Sequence, residues 1–150
     1  MNFKATPTYK DFGEDIDNCP KNTAELKKLE SWEAVLGGTF VTVTAETAKS
    51  LLGAADIDED DETHIVPRND ILAGDFEDLW WIGDYSDENG DNNGGFCAIH
   101  VMNGLNTDGF QIQSTDKEKG KFSFNYTAHY KMSEPDKVPF EIYIKAGTAE

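Results

Sequence analysis

The most regular pattern of hydrophobic and polar residues in the chain runs from Lys121 to Lys131, where the two kinds alternate without a slip. Successive side chains of a strand point to opposite faces, so this alternation predicts a long strand with one buried face. Its apolar positions are Phe122, Phe124, Tyr126, Ala128 and Tyr130. Asn125, Thr127 and His129 lie on the opposite, polar face, where we expect a neighbouring molecule or a helix to pack.

Two similar segments flank this strand. Phe110 and Ile112 alternate with glutamines in front of it. The apolar positions behind it are Val138, Phe140, Ile142 and Ile144. A charged stretch that ends in Gly120 supplies a turn between the first two segments. We therefore predict a three-stranded antiparallel meander from Gly109 to Ile144.

The N-terminal part of the chain predicts more β-structure. A first strand covers Phe3 to Tyr9, and a second covers about Lys28 to Leu36. Gly37 and Gly38 form a two-residue turn signal in front of the β-branched stretch 39–44. This arrangement predicts a hairpin.

One helix is predicted, from Ala45 to Leu52. Thr44 offers an N-cap and Gly53 a C-cap, and the residues between them are good helix formers. Ala48, Leu51 and Leu52 share one face of this helix, which should pack on the sheet.

Three further strands are predicted after the helix, at His64 to Val66, Leu79 to Tyr85 and Phe96 to Met102. About eight strands, one helix and few signals for parallel crossovers indicate a mainly β fold. We predict a single domain over residues 1–150, an antiparallel β-sandwich or barrel with one flanking helix.

The net charge of the chain makes some classes of binding partner unfavourable. The chain has 29 acidic and 13 basic side chains, a formal charge of -16. Such a surface disfavours nucleic acids and anionic membranes, because both are bound largely through Lys and Arg. An apolar run long enough to span a bilayer and the apolar region of a signal peptide are both missing, which predicts synthesis in the cytosol. Cys19 and Cys97 lie far apart, which favours reduced thiols over a disulfide.

Acidic loops raise the question of a calcium site. Asp87, Asn89 and Asp91 alternate as oxygen ligands would, but the loop lacks the Gly and Glu that an EF-hand requires at its sixth and twelfth positions. Asp58 and Asp60 fail the same test. We predict solvated loops without a dedicated metal or cofactor, and weak cation binding stays open.

Catalytic motifs are not apparent. His64, His100 and His129 are not spaced to share a helix face, and neither a phosphate-binding loop nor a GxSxG turn occurs. His100 lies in an apolar run, which indicates a hydrogen-bonded core histidine, whereas His129 suits a surface or interface. We therefore predict a protein that is not an enzyme.

Trp80 and Trp81 are neighbours on a predicted strand and must point to opposite faces. One ring can lie in the core. The other ring is exposed, covered by a partner molecule, or covered by a second layer of the same domain.

Several stretches together resemble the major tail (tail tube) proteins of long-tailed phages and prophages of Gram-positive bacteria. They are ELKKLESWEAVLGGTFVTVT, VPRNDILAGDFEDLWWIGDYSDENG, LNTDGFQIQSTDKEKGKF, the aromatic strand that ends in His129-Tyr130, and VPFEIYI. The resemblance covers nearly the whole chain and depends on the order and spacing of these pieces. Family members usually carry one more strand before the segment that matches Asn2-Phe3, so the resemblance implies that this chain lacks it.

The resemblance implies a structural protein of the virion, made in the bacterial host cytoplasm. Protomers would close into hexameric rings that stack into a tube, and other tail proteins would be partners. DNA would pass through the tube without specific binding, because an acidic wall repels phosphate. The expected assembly surfaces are the polar face of the Lys121 to Lys131 strand, Trp80, Trp81 and the acidic loops with Asp58, Asp60, Asp87, Asn89 and Asp91.

Three other functions remain open on the sequence. A head-tail connector or tail terminator would form single rings. A carbohydrate-binding β-sandwich would use an exposed Trp80 or Trp81 as a stacking platform. A hydrolase with scattered carboxylates would require a deep pocket lined by convergent acids.

Overall fold

Strands predicted from alternation are present and pair in antiparallel fashion. The computed structural model describes residues 1–13, 16–84 and 94–147. Within these ranges there is one α-helix, α1, at Ala45–Leu52. The nine strands of the same ranges are β1 Asn2–Asp11, β2 Lys27–Phe40, β3 Ala55–Ile57, β4 Ile65–Pro67, β5 Glu77–Asp84, β6 Phe96–Asn106, β7 Gln111–Gln113, β8 Lys121–Thr127 and β9 Phe140–Lys145.

Seven of these strands form one sheet, in the order β1-β2-β8-β6-β5, with β7 beside β8 and β9 beside β6. The sheet curls into half of a barrel, as the twist of long antiparallel strands favours. β3 and β4 make a separate two-stranded ribbon. The predicted fold class, mainly β and antiparallel with one flanking helix, is thus confirmed.

The buried core lies on one side of the sheet, which we call the inner face; the opposite side is the outer face. Its buried members are Ala34, Leu36, Ile99, Val101 and Ala128. Phe140 of β9 packs against the rings of Phe3 and Trp32, with ring centroids 6.0 and 5.4 Å apart. The aromatic row of β8 contributes less than predicted, because Phe122 and Phe124 are only half-buried and Tyr130 is exposed.

The prediction of a three-stranded meander is wrong for its last strand. β9 pairs with β6, where Phe140 faces Val101 and Ile142 faces Ile99. Both edges of β8 are already occupied, one by β2 and the other by β7 and the end of β6. β8 also ends at Thr127, short of the predicted end.

Gly37 and Gly38 do not form the predicted turn, because β2 runs through them to Phe40. A Cβ atom on Gly37 would lie 2.6 Å from Asn125 Oδ1, and one on Gly38 would lie 2.8 Å from Phe124 Cζ. These glycines therefore make room for the side chains of β8.

The helix is confirmed at its predicted boundaries. Thr44 Oγ1 accepts a hydrogen bond from the Thr47 NH at 3.3 Å, and Gly53 ends the helix with φ +80°. Leu51, on the face of α1 that packs on the sheet, is fully buried. The Nδ2 group of the buried Asn106 donates to the Leu51 carbonyl at 2.7 Å, which ties α1 to β6.

β6 contains a bulge. Its Val101 faces Leu79 and its Gly104 faces Glu77, so three steps along β6 match two along β5. Asn103 lies within this step and has φ +50°, a left-handed conformation that Asn tolerates better than most residues.

Arg68, the only arginine of the chain, joins the β3–β4 ribbon to the segment in front of β5. Its guanidinium contacts Asp56 Oδ2 at 2.7 Å and Asp75 Oδ1 at 2.6 Å. The other oxygen of Asp75 accepts from the Leu72 NH at 2.7 Å. Burial by itself would raise the pKa of Asp75, but the Leu72 NH and Arg68 outweigh it, so the pKa is lowered.

This carboxylate gives a testable pH dependence. A carboxyl group whose pKa is lowered by folding contributes stability above about pH 4, which is lost as the pH falls through the lowered pKa. We therefore expect Asp75→Asn to reduce the melting temperature at pH 7 and to reduce it less at pH 3. Thermal melts of wild type and variant across this range measure the difference. Asp70→Asn, at an exposed site nearby, is the control. A deficit for Asp75→Asn that is constant with pH would contradict the assignment.

Candidate assembly surfaces

Large apolar side chains are exposed on the outer face of β5, β6 and β9. Trp80, His100 and Glu141 form one row across the three strands, and Ile82, Ala98 and Tyr143 form the next. Trp80 is 54% exposed, Ile82 69% and Tyr143 45%. With the exposed Phe96, these residues define the outer patch: Trp80, Ile82, Phe96 and Tyr143.

Trp80 lies flat on His100. The ring centroids are 4.1 Å apart and the ring planes differ by 6°. Tyr143 lies 6.0 Å from Trp80 on the same surface, with its plane tilted by 21°. The two aromatic side chains therefore form one platform.

Carboxylates border this platform. Asp78 Oδ2 lies 3.4 Å from His100 Nε2, and Glu141 Oε2 lies 3.6 Å from His100 Nδ1. Neither imidazole nitrogen makes a hydrogen bond within the described residues, so the predicted hydrogen-bonded core histidine is wrong. His100 is instead covered by Trp80 at the sheet surface. The residues responsible lie on neighbouring strands, which sequence spacing does not reveal.

The hydroxyl of Tyr143 donates to Glu141 Oε2 at 2.7 Å. This bond lowers the pKa of Glu141, with a further contribution from His100, and it raises the pKa of Tyr143. Glu141 therefore carries its negative charge at neutral pH, and the bond fixes the Tyr143 ring beside Trp80.

The inner face is also open at β9. Ile142 is 47% exposed and Ile144 66%, although alternation predicts them on the buried side of their strand. Only Phe140, at the start of β9, reaches the core. Beyond it the strand carries exposed apolar residues on both faces.

Trp80 and Trp81 point to opposite faces, as predicted. Trp81 packs against the core, and Trp80 lies on the outer patch. A second layer does not cover Trp80 within the described part of the chain. Trp80 is therefore an exposed ring within the described part of the chain.

The polar face of β8 is occupied by the chain itself. Asn125 Nδ2 donates to Asp108 Oδ2 at 2.9 Å, and Thr127 shares a hydrogen bond with Thr107 at 3.2 Å. His129 Nδ1 lies 3.1 Å from the Asn103 carbonyl oxygen, and all three predicted residues are half-buried. The helix does not lie here.

The helix instead approaches the aromatic row of β8. Ser50 of α1 shares a hydrogen bond with the Tyr126 hydroxyl at 2.6 Å. Burial, above all, raises the pKa of this hydroxyl.

Asp58 and Asp60 lie in an exposed loop held by local hydrogen bonds. Asp58 accepts from the Asp60 NH at 2.9 Å and lies 3.1 Å from His64 Nδ1. The Asp60 NH, followed by His64, lowers the pKa of Asp58. Groups of His, Cys, Asp or Glu suited to a metal ion are not found in the described residues. Asp87, Asn89 and Asp91 lie outside the described residues.

A small cleft of about 70 Å³ lies beside the outer patch. Its lining includes Asp78, His129, Lys131 and Lys137. Pockets for drug-sized ligands have volumes of about 300–1,000 Å³, so this cleft can hold no more than a small ion or a few water molecules. Helices of the described residues are all too short or too polar to cross a membrane.

Sequence reasoning singled out Trp80 but missed Ile82, Tyr143, Ile142 and Ile144 as exposed residues. The available signal is that β5 and β9 carry large apolar residues on both sides of their alternation. Comparison of the chain with models of known protein families and with curated proteins found no match, so these surfaces are identified by their geometry.

Proposed function

We propose that this protein is a structural subunit of a phage or prophage tail tube. In this role it is not an enzyme: copies of the chain form rings, and the rings stack around a channel through which DNA passes. The observation that carries the proposal is the exposure of apolar side chains on both faces of the sheet around β9. The sequence resemblance to tail tube proteins supports the same role.

Exposed apolar groups on both faces favour assembly. Contiguous apolar patches of more than a few hundred Å² are rare on soluble monomers and commonly mark interaction sites. Here Trp80, Ile82 and Tyr143 lie on the outer face, and Ile142 and Ile144 lie on the inner face of the same strands. Covering such side chains contributes about 1.5–3 kcal/mol for each one that becomes fully buried.

The strand edges favour a closed assembly. Within the described residues, β1 pairs only with β2, β5 only with β6, and β9 only with β6. Unpaired edges can add further strands, and a curled half-barrel leaves them accessible. A head-to-tail contact between identical copies closes into a ring when its rotation allows, which is the geometry that a tube subunit needs.

Net charge suits a DNA channel. At -16 the chain repels phosphate groups over about 8–10 Å at moderate salt. DNA would therefore slide past a wall of these subunits without being held. In this proposal the mature protein is located in the virion and contacts other tail proteins.

Carbohydrate binding is the second candidate function. The platform of Trp80 and Tyr143, bordered by Asp78 and Glu141, could stack on the CH face of a sugar ring and accept hydrogen bonds from its hydroxyl groups. This alternative requires a monomer that binds glycans. A connector or terminator would instead form single rings that never extend into tubes.

Electron microscopy and sedimentation velocity test the proposal directly. Wild-type protein should form rings and tubes as its concentration rises, and Ile144→Glu should raise the concentration needed about tenfold or more, because a buried isoleucine is lost and a charge is added. Ile71→Glu is the matched control, since Ile71 is exposed outside the sheet. Wild-type protein that stays monomeric at high concentration would refute a tube role, and glycan binding by that monomer would support the second candidate.

A further inference from the structure

We infer that the outer patch accepts lysine side chains, and that the turn between β7 and β8 of a second copy supplies them. We call the segment from Thr115 to Lys121 the lysine turn. The inference rests on the proposed function, because it specifies which surface of one copy meets which surface of the next. It concerns a different surface from the inner face of β9.

The acceptor combines an aromatic ring with negative charge. One face of Trp80 is covered by His100, so the opposite face is the exposed one. Trp binds cations above its ring plane better than the other aromatic residues do. Asp78 and Glu141 beside it have side chains that are 61% and 47% exposed, and their charges add to the attraction. A cation held over Trp80 would therefore find carboxylates within reach.

The lysine turn is the complementary surface. Lys117, Lys119 and Lys121 occur within five residues of a chain that has only 13 basic residues. All three are exposed, and Lys121 lies 3.7 Å from Glu118. Carboxylate partners are not found for Lys117 and Lys119 among the described residues. Other lysines are engaged locally, such as Lys10 over Phe12 and Lys27 over Tyr9.

The turn also has a defined shape. The Glu118 NH donates to the Thr115 carbonyl at 3.1 Å, and Lys117 has φ +65° at the tip. The flanking residues pair as β7 and β8 and hold the two ends together. Ile112, next to the turn, is exposed and could cover apolar parts of the outer patch. A preformed turn loses less conformational entropy on docking than a flexible segment does.

Charge complementarity favours a second copy as the partner. The rest of the chain is acidic, so the lysine turn is attracted to the surface of another copy, and the ring of Trp80 between two carboxylates makes the outer patch its preferred contact. The patch and the turn belong to different strands, β5 and β9 against β7 and β8. Each contact therefore leaves one patch and one turn free, and the contact is repeated from copy to copy.

Charge reversal provides the test. Lys117→Glu with Lys119→Glu should raise the concentration needed for assembly about tenfold or more, as should Trp80→Ala or Glu141→Lys alone. Lys4→Glu with Lys28→Glu changes the net charge by the same amount at exposed sites on β1 and β2, outside the turn and the patch, and should have little effect. Circular dichroism melts check that each variant is folded. If Glu141→Lys does not fold, Trp80→Ala still tests the acceptor.

Mixing the variants tests the direction of the contact. The lysine-turn variant still has an intact patch, and Trp80→Ala still has an intact turn. An equimolar mixture should therefore form one-to-one pairs that do not grow further, whereas wild-type protein forms longer assemblies. Combining Glu141→Lys with the two lysine reversals in one chain should restore part of the assembly. If the lysine-turn variant assembles at the same concentration as wild type, the inference is overturned while the proposed function stands.

A peptide separates the two proposals if wild-type protein does not assemble. A peptide of residues 113–122, closed at its ends, is titrated into monomeric protein while the Trp80 indole NH resonance is followed by NMR. Saturable shifts that are lost in Glu141→Lys, which keeps the Trp80 resonance, would support the contact even though the tube role had failed. Lack of binding would overturn it. Equal binding by a scrambled peptide of the same charge would show a general cation site and overturn the second copy as its specific partner.

Discussion

Replacing Asn106 by alanine should destabilise the protein by about 2–4 kcal/mol, because it leaves several buried groups without hydrogen-bond partners. Asn106 is buried, and its Nδ2 group donates to the Leu51 carbonyl at 2.7 Å and to the Gly109 carbonyl at 2.9 Å. Its Oδ1 atom accepts from the Asn125 NH at 2.9 Å. One side chain thus joins the helix, the turn after β6 and β8. Urea denaturation followed by Trp fluorescence measures the loss.

Two variants make this result specific. Asn69→Ala removes the same side chain at an exposed site and should change the stability by less than about 0.5 kcal/mol. Asn106→Asp keeps an acceptor for the Asn125 NH but removes both donors, and so should lose most of the stability that Asn106→Ala loses. Equal stability of Asn106→Ala and wild type would show that water replaces these bonds at little cost.

Leu51→Ala should have an effect of similar size, about 2–5 kcal/mol, because it opens a cavity between α1 and the sheet. Leu51 is one of the two largest fully buried side chains of the described residues. Leu72→Ala makes the same chemical change at an exposed position and should cost less than about 0.5 kcal/mol. Similar losses for the two leucines would mean that α1 is not packed on the sheet as described.

The two sites should be coupled. The carbonyl of Leu51 is itself an acceptor for Asn106, so both changes loosen the same contact between α1 and β6. We expect the double variant to lose less stability than the sum of the single variants, by about 0.5 kcal/mol or more. Strict additivity would indicate that the helix stays in place when either contact is removed.

Local signals allowed the helix and most of the strands to be predicted. The cap residues Thr44 and Gly53 act within one turn of α1, so their meaning does not depend on the rest of the fold. The partner of β9 was not predictable, because alternation is the same whichever strand lies beside it. Gly37 and Gly38 were misassigned since their role is set by Asn125 and Phe124, which are remote in sequence.

For the assembly surfaces, the period of two was enough to place Trp80 and Trp81 on opposite faces. It could not tell which ring is exposed, because that depends on which side of the curled sheet holds the core. The exposure of Ile144 was not predictable for a different reason: it lies on the core side of β9, but only Phe140 of that strand reaches the core. The polar face of β8 looked free in the sequence, and the segment from Asn103 to Asp108 that covers it comes from another strand and the turn that follows.

The bulge at Asn103 limits misregistration of the sheet during folding. In a regular hairpin, a slip of one residue between β5 and β6 would exchange the faces of all side chains and still keep a continuous ladder. Here the hydrogen-bond ladder is interrupted once, between Val101 and Gly104. If β5 slips by one residue, it cannot pair with the parts of β6 before and after the bulge at the same time. Bulges fix strand register in this way. The bulge at Asn103 therefore favours one register of β5 and β6 and disfavours misregistered, aggregation-prone chains.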